Sequence, residues 1–338
     1  MHAVRAARAF DGEAFRAGGA TVVVEDGRIL GVETVDHPLP EGCPVTTYDG
    51  TLLPGLVDAH THLVTDSGPA ALDRVAGYTA EDLESVVTRA LRDHLAAGVT
   101  TVRDLGDRDY CVVARRDRQA ADGAGEPTIV ATGPPITSMG GHCHFMGGEV
   151  TGPAEIERAV AERVERGVDV VKVMASGGVN PPGSDVLLSQ FTTAELTLLV
   201  ERVHAAGLPV TAHAHATVAV EQAIAAGVDG IEHCSCTTAE GMGRVGDATI
   251  AELVRQGIVV CPTLGVDPRV IDRPPPLVQA MMEKMHTTCA TSCATGAPSS
   301  GGCTGPGCVS SRASTPGSTR ARPTAWSATR SASWSPAG

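Results

Sequence analysis

From Leu52 onward the chain repeats one pattern. Apolar residues recur at i, i+3, i+4 and i+7, a glycine follows, and a short apolar stretch comes next. Leu83, Val86, Val87, Leu91 and Leu95 precede Gly98 and then Val99-Thr100-Thr101-Val102. Ile156, Val160 and Val164 precede Gly167 and a stretch from Val168 to Val173. Leu196, Leu199, Val200 and Val203 precede Gly207 and Leu208-Pro209-Val210. Val218, Ala219 and Ala223 precede Gly227 and Val228-Asp229-Gly230-Ile231, and Ile250, Leu253 and Val254 precede Gly257 and Ile258-Val259-Val260. The spacing marks amphipathic helices, and a glycine just past a helix takes the left-handed conformation that ends it. Helices alternating with short apolar strands imply parallel βαβ units. With Leu52–Val57 and Thr128–Ala131 the pattern predicts seven strands up to Leu264.

This periodicity predicts an α/β fold, an eight-stranded (β/α)8 barrel ahead of an open doubly wound sheet. No GxGxxG or Walker motif follows a strand, which argues against nucleotide binding. Residues 1–51 read differently. Thr21-Val22-Val23-Val24 and Arg28-Ile29-Leu30-Gly31-Val32 flank Glu25-Asp26-Gly27, a hairpin signature in a small β-domain.

Composition sharpens the picture. The 338 residues are 42% hydrophobic and 19% charged, in the range of a globular protein with ample core. No apolar run reaches the ~20 residues of a membrane span, and Met1 to Phe10 lack the apolar core of a secretory signal. A net charge of −13 gives no electrostatic reason to expect nucleic acid. Scattered cysteines fit a reducing, cytoplasmic setting.

Lysine is rare: Lys172 and Lys284 stand among 26 basic residues, as in a G/C-rich coding sequence. Lys172 lies within an apolar strand, Val170-Val171-Lys172-Val173-Met174, where burial disfavours the cation. Barrel chemistry sits at the C-terminal strand ends. Histidines gather at those ends: His60 and His62 on strand one, His213 and His215 on strand five, and His233 on strand six. Strand alternation puts His60 and His62 on one face, as for two ligands of one metal ion. Each histidine alone also suits a packed interior; together with Lys172 they point to a metal centre.

Pro54-Gly55-Leu56-Val57-Asp58-Ala59-His60-Thr61-His62 resembles the opening metal motif of the amidohydrolase superfamily. Val171-Lys172-Val173-Met174-Ala175-Ser176-Gly177-Gly178, Ala212-His213-Ala214-His215 and Ile231-Glu232-His233 resemble later motifs of its imidazolonepropionase-like branch, which includes Xaa-Pro and Xaa-Arg/Lys dipeptidases. The resemblance spans roughly Met1 to Met282. It implies a barrel over residues 52–284 flanked by a small β-sandwich, to which 1–51 contribute. It further implies two divalent ions, zinc above others, with His60 and His62 on one and His213 and His233 on the other. Lys172 would carry a carbon dioxide adduct bridging them, and a bridging hydroxide would attack a small amide or dipeptide-like substrate. The loop Gly140-Gly141-His142-Cys143-His144-Phe145-Met146-Gly147-Gly148 resembles a substrate-facing loop, which makes His142, His144 and His215 candidate substrate contacts. A homo-oligomer is compatible with this reading. Two alternatives stay open: a one-metal hydrolase of cyclic amides such as imidazolones, and a metal-binding pseudoenzyme.

In the family a strand-eight aspartate binds metal and moves the proton. No such strand or Asp follows Leu264: Asp267 and Asp272 lie in the proline-rich stretch just after strand seven, without the expected helix between. Instead, all 39 acids lie at or before Glu283, and 286–338 contain no acid, Leu, Ile or Met. With G/C third bases and a shift of two nucleotides, Cys303 to Gly317 can be read as His-Arg-Ala-Gly-Val-Arg-Leu-Val-Ala-Gly-Val-Asp-Ala-Gly-Val. The first base of each shifted codon is free and the other two are largely dictated. The product is one more Ala-Gly-strand unit ending in an aspartate. An Ala-His-Gly, also family-like, emerges over Arg322 to Ala325. The expectation is therefore that 285–338 form an out-of-frame tail, that the eighth strand and general base are lost, and that this chain is inactive. Cys289, Cys293, Cys303 and Cys308 lack zinc-ribbon spacing.

Overall fold

The five helix-ending glycines, Gly98, Gly167, Gly207, Gly227 and Gly257, all take positive φ, as the repeat requires. The computed structural model describes residues 1–68, 71–122, 125–178 and 184–263.

The N-terminal residues form one mixed sheet. Its strands are β1 (His2–Phe10), β2 (Phe15–Arg16), β3 (Ala20–Glu25), β4 (Arg28–Glu33) and β5 (Val45–Leu52). β1 pairs antiparallel with β2 and β3 and parallel with β5. The expected hairpin joins β3 to β4, with Glu25 opposite Arg28 and positive φ at Asp26 and Gly27. Ile29, Leu30 and Tyr48 are exposed on this sheet. A second layer facing it, as the expected sandwich requires, is not among the described residues.

Leu52 ends β5 rather than opening the first barrel-type strand. Leu53-Pro54-Gly55 separates the two, since proline offers no N–H to continue a ladder. The βα units follow as β6 (Leu56–Thr61), α1 (Ala71–Val75), α2 (Ala80–Ala96), β7 (Val99–Asp104), α3 (Cys111–Asp122) and β8 (Thr128–Ala131). Two short strands, β9 (Thr137–Ser138) and β10 (Glu149–Val150), enclose a 3-10 turn at His144–Met146. Then come α4 (Gly152–Glu165), β11 (Val171–Met174), α5 (Thr193–Ala205), β12 (Val210–Ala216), α6 (Thr217–Ala226), β13 (Gly230–Thr238), β14 (Gly241–Met242), α7 (Asp247–Gln256) and β15 (Val259–Cys261). Helices α2 and α5 start with capping boxes, Thr79 with Asp82 and Thr192 with Glu195.

Seven parallel strands thus run in chain order. β6, β7 and β8 pair consecutively, and so do β11, β12, β13 and β15. Ile136 links the two groups: its N–H donates to the Lys172 carbonyl at 2.8 Å, and its own carbonyl accepts from Met174 N at 2.8 Å. Side chains of β6 and β13 meet, so the row of strands curls on itself. The helices bury Leu83, Leu91, Ile156, Leu196, Leu199 and Val203 against the strands. No helix among the described residues is long and apolar enough to cross a membrane. The expected loss of strand eight and the out-of-frame tail fall on residues 264–338, outside the described ones.

Candidate metal centre

Six histidines from four segments pack ring against ring. His60 lies 5.6 Å from His62 and 4.9 Å from His233, centroid to centroid. His213 lies 4.7 Å from His215, 4.7 Å from His233 and 4.5 Å from His142. His215 stacks on His233 at 4.4 Å. Lys172 is 1% exposed and its Nζ has no hydrogen-bond partner. All but one of the predicted site residues are therefore brought together. His144 is the exception: it is exposed, and its Nδ1 is bonded to Gly141 O within its own turn, at 3.1 Å.

The strands explain how the cluster forms. Lys172 pairs with Thr211 and Met174 with His213, while His213 pairs with Glu232. Alternation therefore turns Lys172, Thr211, His213 and Glu232 to one face and would turn His233 away. Positive φ at His233 (68°) and Cys234 (52°) breaks the alternation and brings the His233 ring back into the cluster. Such angles are costly for non-glycine residues and concentrate at functional sites.

The hydrogen bonds fix which ring nitrogens stay free. His62 Nδ1 faces the Gly106 carbonyl at 3.0 Å, so Nδ1 donates and Nε2 keeps its lone pair. A side chain at Gly106 would crowd this ring, its Cβ coming within 3.1 Å of the imidazole. The Thr263 hydroxyl donates to Pro262 O at 2.8 Å and accepts from His233 Nδ1 at 2.7 Å, which leaves His233 Nε2 free. His213 Nε2 faces the Gly177 carbonyl at 3.2 Å, which leaves its Nδ1 free. His60 Nδ1 faces Glu232 Oε2 at 2.8 Å. Each of the four histidines expected as ligands thus presents one unprotonated nitrogen.

Burial favours the neutral imidazoles. It holds His62 near 3, with His60 adding to the effect, and His142 near 3. It pushes His215 to about 4, and His213 and His233 well below the usual imidazole range. Burial also pushes the Lys172 amine down to about 8, against the pull of the Glu232 carboxylate. Burial raises Glu232, but Lys172, His60 and Arg103 outweigh it and hold the carboxyl at about 2. Neutral imidazoles are donors that a divalent ion such as zinc accepts, and the buried Lys172 amine stands with them without a hydrogen-bond partner. Two groups have ligand atoms within 4.8 Å of one another: His213, His215 and His233, and His60, Glu232 and Cys261.

A stability prediction follows. The unfolded chain protonates its histidines near 6.5, whereas the folded chain resists until about 3 for His62 and His142 and about 4 for His215. Between those values the unfolded state binds more protons, so stability is full above 6.5 and falls as pH drops through the window. Urea midpoints of the metal-free protein should decline steadily from about pH 7 to about pH 4. A flat profile would contradict the buried neutral histidines.

Residues 51–295 match the family model described as Amidohydrolase family. The chain belongs to the amidohydrolase family. Ochratoxinase of Aspergillus niger is 28% identical over 256 residues, covering 67% of this chain and 52% of its own. Its crystal structure superposes with a TM-score of 0.66 at 20% identity, over 86% of this chain and 74% of that one. A Xaa-Pro dipeptidase with bound methionine in the active site gives a TM-score of 0.69 at 22% identity, over 86% of this chain and 76% of the other. Phenylurea hydrolase B gives 0.63 at 25% identity, over 76% and 64%. The chain spans about half the length of the curated relatives it matches.

Three residues of this amidohydrolase site have no role in the sequence reading: Asp104 and Arg103 lie outside the quoted motifs, and Glu232 lies inside the Ile231-Glu232-His233 motif. Asp104 Oδ2 accepts from Leu63 N at 2.7 Å and braces the turn after His62. Arg103 Nη2 donates to Glu232 Oε1 at 2.8 Å. Their only sequence signal is position, at the C-terminal end of β7 and beside His233.

Proposed function

We propose that this fold is a two-metal hydrolase of C–N bonds, acting on a small amide or dipeptide-like substrate at the C-terminal ends of the parallel strands. One observation carries the reading: Lys172 Nζ is buried without a partner beside histidines that each present a free nitrogen. His60 and His62 would hold one ion and His213 and His233 the other. Divalent ions bound there make water acidic and polarise a scissile carbonyl.

The residues do the rest. At about 8, the Lys172 amine is partly unprotonated at neutral pH and nucleophilic. Its lone pair attacks the carbon of carbon dioxide, one N–C bond forms, and one proton leaves to solvent. The resulting carbamate is an anion suited to sit between cations, which a buried ammonium is not. His142 and His215 line the same cluster and are suited to contact substrate. His144, exposed, would reach only a substrate group that extends past the loop.

The strand order is consistent with a barrel in which the strand of the restored frame would fill the place between β15 and β6. The six described cysteines are free, which is consistent with a reducing compartment. The His213, His215 and His233 group favours a second reading, a single ion held by three imidazoles. A panel of dipeptides, N-acyl amino acids and cyclic amides, assayed on the zinc-loaded protein with the strand-eight frame restored, tests the function. Release of amine from linear amides supports the two-metal reading, cyclic amides alone support the second, and an inert panel contradicts both.

A further inference from the structure

Glu232 is buried at 1% exposure and touches three strands besides its own. Its Oε2 faces His60 Nδ1 of β6 at 2.8 Å. Its Oε1 accepts from Arg103 Nη2 of β7 at 2.8 Å and from Thr211 Oγ1 of β12 at 2.7 Å. The same Arg103 donates from Nε to the Ala59 carbonyl at 2.6 Å, gripping the backbone one residue before His60. Gly230 leaves the room: a Cβ there would lie 2.8 Å from the Thr211 hydroxyl oxygen.

We infer that Glu232 is the positioning residue of the His60 ligand, aiming its Nε2 at the metal by holding the proton on Nδ1, with Arg103 and Thr211 locking the carboxylate. This rests on the metal reading above. Both carboxylate oxygens are already engaged, so Glu232 acts through His60 rather than as a ligand. A carboxylate on the far nitrogen of a ligating imidazole fixes its tautomer and makes the other nitrogen a better donor. Arg103 also bridges β7 to β6 and β13, so the clamp spans the curl of the strand row at the level of the cluster.

The test uses the full chain, with zinc alone as the probe. Zinc affinity is measured by competition with a chromophoric chelator for the wild type, Glu232→Gln and Thr211→Val. The inference expects Glu232→Gln to weaken one of the zinc equivalents about 10- to 100-fold, with Thr211→Val smaller in the same direction. The other equivalent stays unchanged. Nitrogen-15 spectra of the wild-type imidazoles should show His60 protonated at Nδ1, a readout that needs no variant to fold. Unchanged zinc affinity in a folded Glu232→Gln protein, or a His60 proton on Nε2, overturns the inference and leaves the metal centre standing. A wild type that binds no zinc overturns the metal reading and this inference with it. A loss of thermal stability with unchanged affinity would mark Glu232 as structural only.

Discussion

Lys172→Ala is expected to abolish turnover in the frame-restored enzyme and to release at least one of two bound metal equivalents. The amine is buried, and among the described residues it has no hydrogen-bond partner. Alanine removes the anion that would join the two ions, and the like charges of the ions then face each other without it. Losing several kcal/mol of electrostatic stabilisation corresponds to a rate loss of roughly a thousandfold or more. Mass spectrometry should find Lys172 heavier by one carbon dioxide in the wild type. Added short-chain carboxylate should partly rescue the alanine variant by supplying the missing anion. Full activity with an unmodified Lys172 would remove the basis for the two-metal reading. A cavity in place of a buried lysine also tests packing. Lys172→Met keeps most of the volume, so a folded, inactive Lys172→Met separates chemistry from stability.

The second large effect concerns the coding frame. The chain as written is expected to turn over its substrate at a negligible rate, because the only aspartates after the seventh strand, Asp267 and Asp272, follow it without the helix-and-strand pattern that would precede the family's aspartate. A gene read two nucleotides on from about codon 285 should gain that aspartate and, with it, activity. The general base of such a reaction contributes about 100- to 10,000-fold, so the two proteins should differ by at least that much. Changing the restored aspartate to asparagine should return the enzyme to the level of the present chain. Equal activity of the two chains would contradict the frame reading. So would genomic DNA that encodes the present tail in an intact frame.

Much of the fold was legible because two independent signals agreed. The 3.6-residue apolar period marked the helices, and each glycine past a helix marked where a strand begins. All five of these glycines take the left-handed conformation. The apolar run from Leu52 puts the first parallel strand too early, since Leu52 belongs to β5 of the N-terminal sheet and Pro54 forces the break. The histidines and Lys172 were legible because each is chemically conspicuous at a strand end. His144 was equally conspicuous but lies exposed, since its turn folds back on Gly141. Arg103 was not legible, and Glu232 was legible only as part of the Ile231-Glu232-His233 motif, without a role. Strand alternation alone cannot give Glu232 and His233 the same site, and only the positive φ at His233 and Cys234 does so. A buried arginine crossing from β7 to β13 is a long-range contact with no local pattern.

Metal stoichiometry tests the central claim most directly. The wild-type frame-restored protein is dialysed against zinc, then against buffer, and its zinc is counted by elemental mass spectrometry against protein concentration. Two equivalents per chain are expected, falling in Lys172→Ala and in a His213→Ala and His233→Ala double variant. A wild type that holds one equivalent and keeps it unchanged in Lys172→Ala, or a wild type that holds none, would contradict the claim.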